Sequence, residues 1–115
     1  MADDLVIAVY RVTKTFPTEE RYGLQSQIRR GAVSVVANLV EGCTRPTTSD
    51  YLRFVTVAIG SAAEVRYLVE LSNRLEYIAA RDAEPITRGY GDVIRALQSL
   101  VTTLRAREKH RASGA

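Results

Sequence analysis

Nucleophilic, acid–base or metal chemistry needs histidine, cysteine and carboxylates at set spacings, and this chain supplies few of them. His110 is the only histidine, and it lies in the polar C-terminal stretch "RAREKHRASGA". Cys43 is the only cysteine, so an intrachain disulfide is impossible. It sits at a helix turn with no histidine nearby in sequence, and a catalytic thiol there would lack its activator. A di-metal helical bundle draws on Glu-x-x-His pairs, whereas Glu41 and Glu64 have no such histidines. Gly89 and Gly91 flank a tyrosine inside a helical pattern and do not form a phosphate-cradling loop. The expectation is no catalytic residue, no metal ligand, no cofactor and no enzyme.

What remains is charge aimed at phosphate. Sixteen Lys and Arg against thirteen Asp and Glu give a net charge of +3. The excess gathers late: from Arg88 onward there are six basic residues and two acids. Arg66 and Arg74, then Arg88 and Arg95, then Arg105, Arg107, Lys109 and Arg111 are the candidates for backbone contacts to RNA or DNA. A second reading stays open beside this one. Arg66 stands four residues before Glu70 and Arg88 four before Asp92, the spacing of local helical pairs. The tail can also serve only to stabilise the dipole of a helix end. In that case the chain is a protein–protein scaffold or adaptor.

A further polar pattern lies in "QIRRGAVSVVANLVEG", residues 27–42. At helical periodicity Gln27, Arg30, Ser34, Asn38 and Glu41 fall in one stripe about 80° wide. Arg53, Ser61 and Glu64 form a matching stripe downstream. If the two helices pair about a turn near residue 45, Arg30 reaches Glu64, and Arg53 reaches Glu41 and Asn38. Gly60 would let the helices approach at that level. Such a network fixes register more surely than it adds stability, because desolvating charge costs about what pairing returns. The stripe as a plain solvated face is the alternative.

The elements that carry these residues read as four helices, with no run alternating at the period of a strand. The first covers about 4–15, with Leu5, Val9, Val12 and Phe16 on one side, and Pro17 interrupts it. The second covers about 22–42 and stops at Gly42. The third covers about 48–77, with Thr47 as its cap and Asp50 reaching back from three residues on. The fourth covers about 83–107, and 108–115 is expected as a flexible basic tail. Short connections favour an all-α, antiparallel up-down-up-down four-helix bundle, one domain over 1–115. Val33, Val36 and Val40 on the second helix, with Leu52 and Ile59 on the third, point away from the core face. A helix apolar on more than one side usually has a further partner, so these five are the expected contacts of a homo-oligomer.

Composition agrees with a soluble single domain, 46% hydrophobic and 25% charged over 115 residues. No stretch approaches the roughly 20 apolar residues of a membrane span. The N-terminus "MADDLVIAVY" carries acids where a secretory signal carries positive charge. A cytoplasmic location with no membrane partner is the expectation.

"FPTEERYGLQSQIRRGAVSVVANLVEG" followed by "RPTTSDYLRFVTVAIGSAAE" resembles the bacterial four-helix-bundle family encoded in intervening sequences of 23S rRNA genes. Its pattern reads approximately FP-x-x-E-x-x-GL, then Q-[IL]-RRA-x-x-S-[IV]-x-x-N-[IL]-x-EG, then R-F-L-x-x-A-x-GS-x-x-E. The matching positions run from Phe16 to Glu64 and include Gln27, Arg29, Arg30, Ser34, Asn38, Glu41, Gly42, Arg53, Phe54, Gly60, Ser61 and Glu64. A relative of the family is the accessory variability protein of diversity-generating retroelements, a homopentamer understood to bind nucleic acid and a reverse transcriptase. The resemblance therefore implies a non-enzymatic homopentamer of four-helix bundles whose partners are RNA or DNA and, in that relative's setting, a reverse transcriptase. Two positions depart from the pattern. Gly31 replaces the family's alanine at a cost of up to about 1 kcal/mol of helix propensity, and Val36 replaces a common proline, which removes the cause of a kink.

Overall fold

Asp3 and Asp4 in the first turn and Arg11 in the last complement the dipole of α1, Ala2–Thr13. Pro17 then precedes one turn of 3₁₀ helix at Thr18–Glu20. Three longer helices follow: α2 (Leu24–Gly42), α3 (Thr48–Arg74) and α4 (Ala80–Gly114). The computed structural model describes residues 1–114, and among them there are four α-helices and no strand. The molecule measures 58 × 22 × 18 Å.

Each helix touches two others: α2 packs on α3, α3 on α4, and α1 on both α2 and α4. The main core holds Val9, Ile28, Val35, Ala58, Val65, Val69, Ile86 and Tyr90 from all four helices. A second cluster of Leu52, Val55 and Val101, edged by Leu39, Leu100 and Leu104, lies where only α2, α3 and α4 meet. The cause is length. With 12 residues against 35 in α4, α1 spans about 18 Å of a helix about 52 Å long.

The ends of α3 are set by hydrogen bonds. The Thr47 hydroxyl accepts from the Asp50 amide at 3.1 Å, as a capping residue should. Asp50 does not reach back as expected; it pairs with Arg53 at 3.6 Å. At the other end the helix stops at Arg74, three residues before the expected boundary. Glu76 there adopts a left-handed φ of 66°. The amides of Tyr77 and Glu76 donate to the carbonyls of Ser72 and Asn73, both at 2.9 Å, which is a Schellman closure with glutamate where glycine is usual. Asn73 Nδ2 adds a bond of 2.8 Å to the Ile78 carbonyl. Tyr77 is thereby turned onto Phe16, ring centroids 5.5 Å apart.

The fourth helix is longer than expected at both ends. It starts at Ala80 with Pro85 inside it, where the missing N–H forfeits a single bond near the exposed start. It also continues through the expected flexible tail to Gly114; Ala115 lies outside the described residues. Arg105, Arg107, Lys109, His110 and Arg111 are exposed on this extension, held in helical order by its backbone bonds.

The α2–α3 contact corrects the expected network. A Cβ added to Gly31 would stand 2.5 Å from Val65 Cγ2, and one on Gly42 would stand 3.0 Å from Phe54 Cβ. At Gly60 nothing lies within 4 Å, so close approach depends on the α2 glycines instead. This contact shifts the pairing of the helices by about one turn from the expected register. Ser34 meets Ser61, their hydroxyls 3.0 Å apart. Asn38 donates to the Ser34 hydroxyl and carbonyl at 3.0 and 2.8 Å. The charged members stay outside this half-buried link. Arg30 donates to Ser26, Glu41 pairs with Arg45 at 2.7 Å, and Gln27 and Glu64 are exposed. Every ion pair among the described residues joins groups three or four residues apart. Charge therefore does little to hold these helices to one another.

One arginine does bridge helices. Arg29 Nε donates to Thr13 Oγ1 at 2.8 Å, and its guanidinium lies 4.5 Å from the Tyr10 ring centroid. Thr13 is fully buried and donates onward to the Val9 carbonyl at 2.8 Å.

Two core features give predictions for equilibrium unfolding. Gly31→Ala should lose about 1 kcal/mol net, because overpacking costs about 1–3 kcal/mol and alanine regains only about 1 kcal/mol of propensity. Gly60→Ala, facing open space, should gain about 0.5–1 kcal/mol. Denaturant midpoints moving in the same direction would refute the assignment of the close approach to Gly31. Arg29→Ala should cost about 1.5–3 kcal/mol, the range for a hydrogen bond to a charged group. Arg30→Ala and Arg53→Ala should each cost under about 1 kcal/mol, since both side chains are exposed.

Tyr90 is fully buried, and its hydroxyl has no hydrogen-bond partner among the described residues. Burial pushes its pKa from 10.0 to about 12. A raised folded pKa means the neutral phenol's contribution is intact below the unfolded value of 10.0 and disappears as pH rises through about 12. Tyr90→Phe should raise the midpoint at neutral pH by removing an unpaired polar atom. It should also flatten the alkaline loss of stability between those two pH values, measured by urea unfolding against pH.

Candidate functional site

The late arginines separate into two groups once their neighbours are placed. Arg66 pairs with Glu70 at 3.6 Å, Arg88 with Glu84 at 3.7 Å, and Arg111 with Glu108 at 3.7 Å. Asp92, the acid expected for Arg88, is held by Arg95 instead. Arg66 and Arg95 converge over buried Gly91, where even an added Cβ would meet both guanidinium groups only at ordinary contact distance, 3.4 and 3.6 Å. These four arginines are exposed but locally balanced. Arg74 closes the last turn of α3, where a cation favours the helix dipole.

Arg105, Arg107 and Lys109 form no ion pair among the described residues and stand on the α4 extension, past the last buried core residue, Val101. Arg105 shares an open groove of about 590 Å³ with Arg53, Thr56 and Glu108 beside the start of α3. Arg107 and Arg111 flank a second depression with His110. This end of the molecule is where the predicted basic residues do gather.

A larger groove, about 890 Å³, lies between α1 and the first half of α2. Tyr10, Tyr22, Arg21, Arg29 and Arg30 line it, and no carboxylate does. The nearest acids in sequence, Glu19 and Glu20, are not part of its lining, and Glu20 Oε1 accepts from the Leu24 amide at 3.2 Å. Glu20 accepts from the Tyr77 hydroxyl at 3.2 Å. Burial, this bond and the charges of Glu20 and Glu19 together raise the Tyr77 phenol above its ordinary value. Reading the sequence for charge excess missed this groove because its arginines sit in the less basic half of the chain. A usable signal was present: from Arg21 to Val40 there is no Asp or Glu.

The five residues expected at a subunit contact do not share one surface. Leu52 is buried in the second cluster and Ile59 packs against it, because α4 runs far enough to cover them. Val33 and Val40 are 44% and 63% exposed, and Val36 is half-buried. Val33 and Val36 border an apolar groove of about 400 Å³ with Val6, Ile7 and Ala37. Cys43 is an exposed free thiol after the end of α2. Among the described residues no three His, Cys, Asp or Glu side chains stand together as a metal site, and no helix is long and apolar enough to cross a membrane.

The same helical arrangement occurs in a solved structure, a protein of unknown function from the S23 ribosomal protein family of Bacteroides thetaiotaomicron VPI-5482. The two superpose with a TM-score of 0.80 at 24% identity, over 87% of this chain and 94% of that one. At that identity the likeness speaks for the fold alone. No curated protein matches the chain. Residues 1–99 match the family described as 23S rRNA-intervening sequence protein, and that span carries α1 to α3 and most of the packed part of α4. The chain belongs to the 23S rRNA-intervening sequence protein family.

Proposed function

We propose that this protein is a non-enzymatic, cytoplasmic homo-oligomer that binds RNA or DNA through phosphate contacts. The observation that carries the reading is the α4 extension, where Arg105, Arg107 and Lys109 stand exposed in helical order and form no ion pair among the described residues. The helix fixes the backbone under these cations, so that only side-chain freedom is lost on meeting a phosphate backbone, and repetition around an oligomer multiplies a modest +3 per chain.

The subunit in this reading is an antiparallel up-down-up-down bundle. Contacts from Gly42 with Tyr51 to Gly31 with Val65 support opposed directions for α2 and α3. Exposed Ile7, Val33 and Val40 beside the apolar α1–α2 groove support self-assembly, and the resemblance to retroelement accessory proteins favours five copies. A reverse transcriptase is the protein partner that this resemblance suggests. The same apolar groove favours a second reading, an adaptor that binds another protein and has no direct role on nucleic acid.

Light scattering should give a closed assembly near five times 12.7 kDa; a monomer persisting at high concentration would remove the oligomer. Fluorescence anisotropy with RNA and DNA at several salt concentrations should show weakly sequence-specific binding. Ending the chain at Leu104 should weaken it and lower the salt slope by about one unit per lost contact. Affinity no better than about 10⁻⁴ M at low salt would leave the adaptor reading in front.

A further inference from the structure

The acid-free groove between α1 and α2 differs in chemistry from the α4 extension. Tyr22 is 87% exposed, an unusual position for a ring that could bury its apolar faces. Arg21 beside it has no ion-pair partner among the described residues. Arg30 is fixed by Ser26, whose hydroxyl accepts from Nε at 3.2 Å and Nη2 at 3.0 Å. Serine is neutral, so Arg30 is oriented by a hydrogen bond and forms no ion pair among the described residues. Arg29 is held by Thr13 and stacked on Tyr10, which makes it the wall of the groove more than a free contact. With its amide oxygen turned toward Arg29, Gln25 accepts from both terminal nitrogens at 3.1 Å.

A duplex presents phosphates on its exterior and keeps its bases stacked inside, so duplex binding has no use for an exposed ring. A single strand offers phosphates and unstacked base faces together, and aromatic side chains interleaved with arginines take up both. The groove volume of about 890 Å³ falls within the range of about 300–1,000 Å³ for ligand-sized clefts. We propose that this groove is a single-stranded nucleic-acid site, in which Tyr22 stacks on a base and Arg21 and Arg30 take adjacent phosphates. The proposal rests on the reading that the protein binds nucleic acid, and it assigns a substrate form that the α4 extension does not select.

The test uses the full chain, Tyr22→Ala, Tyr22→Phe, Arg21→Ala with Arg30→Ala, and the chain ending at Leu104. Each is titrated by anisotropy against a labelled single-stranded RNA 12-mer, the matching DNA 12-mer and a 12-bp duplex. Tyr22→Ala should weaken single-strand binding about tenfold, with the salt slope and duplex affinity unchanged, and Tyr22→Phe should retain binding. The double arginine variant should lower the single-strand salt slope by about 0.7 per lost contact. Thermal unfolding by circular dichroism should not move for Tyr22→Ala, because the ring is exposed. Equal loss on single strand and duplex, or no loss at all while truncation at Leu104 abolishes binding, would overturn the groove and leave nucleic-acid binding standing. A change in assembly mass in Tyr22→Ala would make the groove a subunit contact and overturn it too. No binding to any probe at low salt removes both this proposal and the reading beneath it.

Discussion

The distance between α2 and α3 is set by two glycines, Gly31 and Gly42, eleven residues apart on α2. Eleven residues make just over three full helical turns, so both open the same face. Val65 fills the space at one and Tyr51 with Phe54 the space at the other. A fixed close approach determines what can lie between the helices. Small groups fit there, and Ser34, Ser61 and Asn38 close their own hydrogen bonds. Long charged side chains do not, and they lie along the margins: Arg30 on Ser26, Arg53 on Asp50, Glu41 on Arg45, and Glu64 exposed. An interhelical Arg–Glu network would need the space that this contact removes, and it would have to offset desolvation as well.

Unequal helix lengths have the second large effect. Because α1 covers only the lower part of α2 and α4, the other end of the molecule is a three-helix structure with its own small core. Leu52 and Ile59 belong there by virtue of α4's length, although their periodicity alone suggests an outer face. Beyond that core α4 continues as a basic arm outside the span 1–99 that matches the family. The packed bundle and the charged arm are therefore different parts of one helix under different constraints.

Positive charge is distributed in a similarly divided way. Arg66, Arg88, Arg95 and Arg111 have carboxylates within their own helix, and exposed pairs of this kind change stability by at most about 1 kcal/mol. Arg21, Arg30, Arg105, Arg107 and Lys109 have none among the described residues. The second set carries charge that no ion pair among the described residues offsets, with Glu108 sharing the groove of Arg105. Arg29 differs from both, spending its charge on Thr13 and Tyr10 to hold α1 in place.

Element identity was legible in the sequence because it depends on local rules. Helical periodicity, Pro17 as a break, Thr47 as a cap and the lack of strand patterns identified four helices, and the fixed-spacing signature from Phe16 to Glu64 identified the family. Their packing was not legible, for reasons that are equally physical. Ser34 opposite Ser61, in place of Arg30, follows from which glycine admits which side chain, a fact of three dimensions that no spacing along one helix contains. Glu76 in a left-handed conformation ends α3 early because Asn73 and the Schellman bonds hold the turn, although glutamate signals no stop. The acid-free run from Arg21 to Val40 was visible as composition, but only the docking of α1, with Tyr10, against α2 turns it into a groove. The sequence by itself determined four helices, their family and a basic C-terminal region; tertiary structure decided the register, the groove and which charges remain free, because each depends on distances between segments far apart in the chain.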